Sequence, residues 1–154
     1  MSLNPDFCFA GSTVHKLDDK GRLALPSDFR EELGRSERPE LVMALVYDIQ
    51  YLTLYPYEHW RKLMADIEED MPDTASRNNV LRALSTQVRP LNLDKVGRVL
   101  ISPEQRAAVG LNREVKIIGV GSKIEIWNPA VHEQKERQDK DVLDEVIRTR
   151  RLKF

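Results

Sequence analysis

Two short stretches of the chain carry the residue types and spacing with which a loop can grip an anion. They are Leu17-Asp18-Asp19-Lys20-Gly21-Arg22 and Leu93-Asp94-Lys95-Val96-Gly97-Arg98. In each, an aspartate opens the turn, where its carboxylate can accept backbone N–H groups of the loop. A glycine near the end, Gly21 or Gly97, permits positive φ without a Cβ penalty. The arginine four residues after the aspartate is close enough to pair with it across the turn. Asp18, Gly21, Asp94 and Gly97 are therefore read as the structural frame of the two turns. A guanidinium held at a loop edge with a lysine beside it is a natural phosphate contact, which makes Lys20, Arg22, Lys95 and Arg98 the candidate binding residues. A clasp within the turn and a contact to phosphate are compatible roles for the same arginine.

Other chemistry is thin. Cys8 and His15 would offer a thiol and a base, but a lone cysteine near a chain start is far more often inert. His15, His59 and His132 lie in three unrelated elements with no i, i+4 pair, so no metal site is expected. Gly119-Val120-Gly121-Ser122-Lys123 lacks the spacing of a phosphate-binding loop and reads better as a hairpin turn. Trp60 and Trp127 read as core or interface aromatics before they read as stacking platforms. No catalytic constellation, cofactor or small-molecule substrate is expected.

The two turns belong to a tandem repeat. Residues 17–34 laid on 93–110 without a gap give six identities in eighteen positions, where unrelated sequences give roughly one. They are Leu17/Leu93, Asp18/Asp94, Gly21/Gly97, Arg22/Arg98, Arg30/Arg106 and Gly34/Gly110. Leu23/Val99, Leu25/Ile101 and Leu33/Val109 keep the apolar phase between them, so both copies should bury the same faces.

Each copy is expected to be a hairpin (residues 9–26 and 88–102) followed by a short helix. Ser27 should cap the first of these helices, and Gly34 or Gly110 should stop the chain after each. Strand pairs are predicted at 41–46 and 51–55, joined by 47–50, and at 115–120 and 123–127. The pattern Trp60, Leu63, Met64, Ile67 predicts a helix over 57–70. A further helix is expected over 74–85, with Val80, Leu81 and Leu84 on one side. The acidic stretch 68–73, broken by Pro72, marks the boundary between copies. The domain reading is 9–71 and 86–154, with 72–85 connecting. A long, highly charged helix follows Pro129, partly mobile, with only Val142, Leu143, Val146 and Ile147 able to dock and a basic end at 148–153.

At 154 residues the chain makes one ordinary domain or two small ones, and 41% hydrophobic residues can fill a core. No apolar run approaches the roughly 20 residues of a spanning helix, and residues 1–9 lack the pattern of a signal peptide. A single cysteine excludes an internal disulfide and fits a reducing compartment. Twenty-four Lys and Arg against twenty-five Asp and Glu leave a net charge of -1. That counts against a nucleic-acid binder as a whole, but binding follows local potential and not the sum.

With its two Asp-x-x-x-Arg turns, the aromatic-Ala-Gly at Phe9-Ala10-Gly11, Leu23, Pro26 and the aromatic at Trp127, the chain resembles the MraZ family of bacterial transcriptional regulators over nearly its whole length. The resemblance implies an α+β fold in which two SpoVT-AbrB type swapped-hairpin repeats form one pseudo-symmetric β-barrel, with helices after each repeat. It also implies a ring of identical subunits in the cytoplasm, associated with the nucleoid. The ring would bind double-stranded DNA at direct repeats in the promoter of the division and cell-wall gene cluster, usually with repression. In that family the motif arginine is tied to DNA binding, which carries over to Arg22 and Arg98. Lys20 matches the family pattern, whereas Val96 takes its place in the second copy, so the first turn is expected to contribute more. The competing reading is a ring-forming assembly module whose turns bind acidic protein surfaces.

Overall fold

The two strands expected to pair as a hairpin in each copy separate, and each finds its partner in the other copy. A computed structural model describes residues 7–36, 38, 40–45, 50–150 and 152; the last residue of the strand expected over 41–46, most of the expected 47–50 connection and part of the basic end lie outside them. The first copy comprises β1 (Ser12–Lys16), β2 (Arg22–Ala24), α1 (Ser27–Leu33), β3 (Leu41–Ala44), β4 (Tyr51–Pro56) and α2 (Tyr57–Asp70). The helix α3 (Thr74–Ser85) leads to the second: β5 (Val88–Leu91), β6 (Arg98–Leu100), α4 (Pro103–Ala108), β7 (Glu114–Val120), β8 (Lys123–Trp127) and α5 (Pro129–Arg150).

Six strands form one sheet in the order β1-β7-β8-β4-β3-β5, and β2 pairs with β6 in a separate two-stranded ribbon. All the pairings are antiparallel. Thus β1 bonds β7 of the second copy, and β5 bonds β3 of the first. The six-stranded sheet ends on β1 and β5, and no described ladder closes it into the expected barrel.

The registers obey a pseudo-two-fold axis. In the ribbon, Leu23 faces its own repeat equivalent Val99, with Arg22 opposite Leu100 and Ala24 opposite Arg98. At the sheet centre, matching Tyr55 to Trp127 brings Thr53 onto Glu125, and these two also face each other. A residue that lies opposite its own equivalent sits on the axis, so the axis passes through both pairs.

Alternation explains the layers. Leu52 and Leu54 on β4, and Ile124 and Ile126 on β8, point to one face of the sheet and are fully buried. There they join Leu23, Leu25, Val99 and Ile101 of the ribbon, with Phe29, Leu33 and Val109 beside the short helices. The conservative repeat pairs thus do bury the same faces. On the opposite face of the sheet, Trp60 and Leu63 of α2 pack on Val42, Ala44 and Tyr55. His132 of α5 lies edge-on to Trp127 at 5.3 Å, as Trp60 lies against Tyr55 at 5.7 Å.

Helix termini depart from expectation in two places. Ser27 is the first residue of α1 and not its cap: Pro26 holds that position and makes no side-chain cap bond. In α4 the serine stands one place earlier. Ser102 accepts from the Gln105 amide, Gln105 reaches back to complete a capping box, and Pro103 occupies the first turn. Gly34 ends α1 in an ordinary helical conformation at φ -66, whereas Gly110 adopts φ 64. At the C-terminal end, Val142, Leu143 and Ile147 are exposed and Val146 is half-buried, so three of the four apolar residues expected to dock α5 remain open to water.

Candidate nucleic-acid interface

Pairing of β2 with β6 fixes the site. Because Arg22 begins β2 and Arg98 begins β6, the antiparallel ribbon carries the turn that precedes each strand to the neighbourhood of the other. Motifs far apart in sequence become one cluster.

The two turns match atom for atom. In the first, the Asp18 amide donates to the Arg22 carbonyl at 3.0 Å, and the Gly21 amide donates to the Asp18 carbonyl at 3.0 Å. Asp18 Oδ1 accepts from the Lys20 and Arg22 amides, each at 2.9 Å, while Oδ2 accepts from Arg22 Nε at 2.6 Å. In the second, Asp94 Oδ1 accepts from the Val96 amide at 3.0 Å and the Arg98 amide at 2.9 Å, and Oδ2 from Arg98 Nε at 2.8 Å. The glycines stand at φ 82 and 81, where a side chain would be strained. A contact between copies joins the turns: Arg98 Nη1 lies 3.5 Å from Asp18 Oδ2.

The aspartates are locked in their charged form. Asp18 is lowered from 3.8 to about 2, first by the Arg22 amide, whose effect desolvation opposes, and then by the Arg22 guanidinium and the Lys20 amide. Asp94 is lowered by the equivalent groups, the Arg98 amide first. Since the folded pKa of Asp18 lies below the unfolded value, its contribution to the turn is complete above pH 3.8 and is lost as pH falls through about 2. An NMR titration of the Asp18 carboxyl should give a midpoint near 2. In Arg22→Ala it should rise but stay below 3.8, because the backbone donor survives. A wild-type midpoint at or above 3.8 would contradict this geometry.

What remains for a ligand is cationic. A guanidinium has five donors, of which the hydrogen bond to Asp18 takes one on Arg22. The Lys20 and Lys95 positions are exposed, as is Val96 at 60%. Within the two turns, Lys20, Arg22, Lys95 and Arg98 stand against Asp18, Asp19 and Asp94, an excess of one positive charge.

Two further cations reach the cluster that sequence reasoning did not assign to it. Arg106 of α4 lies against Gly21 and Arg30 of α1 against Gly97, each over the turn of the other copy. Adding them raises the excess to three. The signal was present, since Arg30/Arg106 is one of the six repeat identities, but its meaning depends on a crossing of the copies that only the fold displays.

The other candidates stay apart. Cys8 is exposed, with its amide bonded to Glu32. His59 stacks on Tyr55 and meets Ser122 Oγ at 3.3 Å, and His15 lies in β1. Among the described residues no group of His, Cys, Asp and Glu could hold a metal ion. Nor is any described helix long and apolar enough to cross a membrane. The glycine-rich stretch is the β7–β8 turn, with Gly121 at φ 67 bridged to Phe9.

Comparison with known proteins places the chain in a family. Residues 8–82 and 87–153 match the family described as "MraZ protein, putative antitoxin-like" in two successive copies. A protein of Thermomicrobium roseum named "Transcriptional regulator MraZ" is 39% identical over 124 residues, covering 79% of this chain and 82% of that protein. Proteins of the same name from Pseudoalteromonas translucida and Shigella dysenteriae are 29% and 33% identical, the first covering 87% of this chain and 88% of its own length, the second 86% and 88%. Built as it is from two copies of one motif, the chain belongs to the MraZ family.

Proposed function

We propose that this protein regulates transcription by binding double-stranded DNA through the paired turns, with Arg22, Arg98, Lys20 and Lys95 contacting phosphates and Asp18, Gly21, Asp94 and Gly97 holding the frame. The observation that carries the reading is the joining of the two Asp-x-x-x-Arg turns across the ribbon, with Arg98 reaching Asp18. This brings four cationic side chains together at one place in a chain of net charge -1. The names of the relatives point the same way.

The reading extends to a repressor acting on the nucleoid at direct repeats before the division and cell-wall genes, working as a closed ring of subunits. Two repeats, 9–71 and 86–154 with 72–85 between them, supply a swapped-hairpin unit in which the ribbon and the six-stranded sheet together play the part of the barrel. A ring is supported by the open edges β1 and β5 and by exposed Val14 and Val120, which a monomer leaves in water. It also makes a small net basic face sufficient, because repetition around the ring adds phosphate contacts.

The test is a gel shift with the DNA upstream of the protein's own operon, titrated with salt, with light scattering on the same sample. Salt-sensitive retardation and a mass several times 17.8 kDa are expected. Absence of retardation at low salt would leave the assembly-module reading in its place, and a mass of 17.8 kDa would remove the ring.

A further inference from the structure

Resting on the reading that the turns contact phosphate, we propose that Arg30 and Arg106 are crosswise positioning residues: each side chain holds in place the DNA-binding turn of the other copy. A Cβ added at Gly21 would stand 2.9 Å from the Ile101 carbonyl, 3.0 Å from Arg106 Cζ and 3.2 Å from Arg106 Nε. One added at Gly97 would run into Arg30 Cδ and stand 2.8 Å from its Nη1. Each guanidinium thus occupies the space a side chain would fill, against a turn backbone that is already in the left-handed region. Backbone bonds follow the same crossing: the Ile101 amide donates to Gly21 at 3.0 Å, and the Leu25 amide donates to Gly97 at 3.1 Å.

The spacing explains why arginine stands there. Each short helix begins on the strand that follows its own turn, and the ribbon lays that strand beside the other copy's turn. A residue in the helix therefore overhangs the opposite glycine. Neither Arg30 nor Arg106 forms an ion pair among the described residues, whereas Arg22 and Arg98 are both tied to aspartates. Arg106 Nε is buried without a hydrogen-bond partner. That arrangement is costly for a side chain serving only as core filler. A planar, stacking cation pressed on a backbone restrains the turn and adds to the positive potential at its edge. Orientation is thus transmitted from α4 to Asp18 and Arg22, and from α1 to Asp94 and Arg98.

The test uses the full chain with Arg30→Gln and Arg106→Gln made separately, read by amide hydrogen exchange and by binding to the upstream DNA. Arg106→Gln should speed exchange of the Lys20, Gly21 and Arg22 amides by about tenfold or more, leaving Val96, Gly97 and Arg98 unchanged. Arg30→Gln should do the reverse. Arg106→Gln should also raise the Kd for DNA by about tenfold. Should Arg106→Gln fail to fold, Arg106→Lys, which keeps charge and aliphatic stem but not the planar group, is read in the same way. Loosening of a variant's own turn, of both turns equally, or of neither would overturn the proposal. So would full turn protection in Arg106→Lys. The exchange pattern is independent of DNA, so a crossed pattern in a protein that binds no DNA would refute the functional reading while leaving the clasp itself in place.

Discussion

Replacing Arg22 by alanine is expected to weaken binding to the upstream DNA by more than about tenfold, since a hydrogen bond to a charged group contributes about 1.5–3 kcal/mol. Far-UV circular dichroism should not change. The Arg22 side chain is half-exposed and serves the turn, while the core lies on the far side of the ribbon at Leu23 and Val99. The Asp18 carboxylate keeps its two backbone donors when the side chain is gone, so the loop retains its path. Collapse of the fold in Arg22→Ala would instead assign the arginine to the clasp alone. Arg98→Ala is expected to lose less, because its neighbour is Val96 where the first turn has Lys20. Arg98 also contacts both aspartates, so part of its effect should pass through the first turn. Equal losses in the two variants would contradict the asymmetry.

The second large effect concerns stability. Leu23 and Val99 meet on the pseudo-two-fold axis, and neither exposes any surface. Leu23→Ala should cost about 2–5 kcal/mol, the transfer of a buried side chain plus the cavity left behind. On the axis the cavity opens between the two copies, where neither can close it without breaking the match of registers. Leu100→Ala, one position from Val99 on the same ribbon but 57% exposed, should change stability by no more than about 0.5 kcal/mol. Urea unfolding followed by circular dichroism measures both. A Leu23→Ala protein with an unshifted midpoint would mean that the ribbon is not part of the cooperative core.

Much of this arrangement was legible in the residues. The apolar phase shared by Leu23/Val99 and Leu25/Ile101 gave the buried face, and the 3.6 spacing of Trp60, Leu63 and Ile67 gave α2 with its observed bounds. The Asp-x-x-Gly-Arg pattern gave the inner bonds of each turn, because these are local and follow from side-chain reach. Strand partners were not legible. Periodicity states which face of β1 is apolar but not which strand lies beside it, and the hairpin reading chose the nearest neighbour in sequence. The observed crossing to β7 depends on tertiary packing, and the roles of Arg30 and Arg106 were hidden with it. The cap of α1 failed for a smaller reason. Ser27 and Ser102 both adjoin a proline, but Pro26 precedes its serine while Pro103 follows, so only Ser102 stands at the cap position.

The central claim, that paired basic turns on several subunits grip DNA phosphates together, is tested most directly by the salt dependence of affinity on operators carrying one, two and three direct repeats. The slope of log affinity against log salt should steepen with every added repeat, by about 0.9 for each further phosphate neutralised. A single repeat should bind poorly, because one subunit offers few cations, whereas neighbours on one ring raise the effective concentration for the next repeat. A slope and an affinity that do not change with the number of repeats would contradict the account, since only one subunit would then be engaging the DNA.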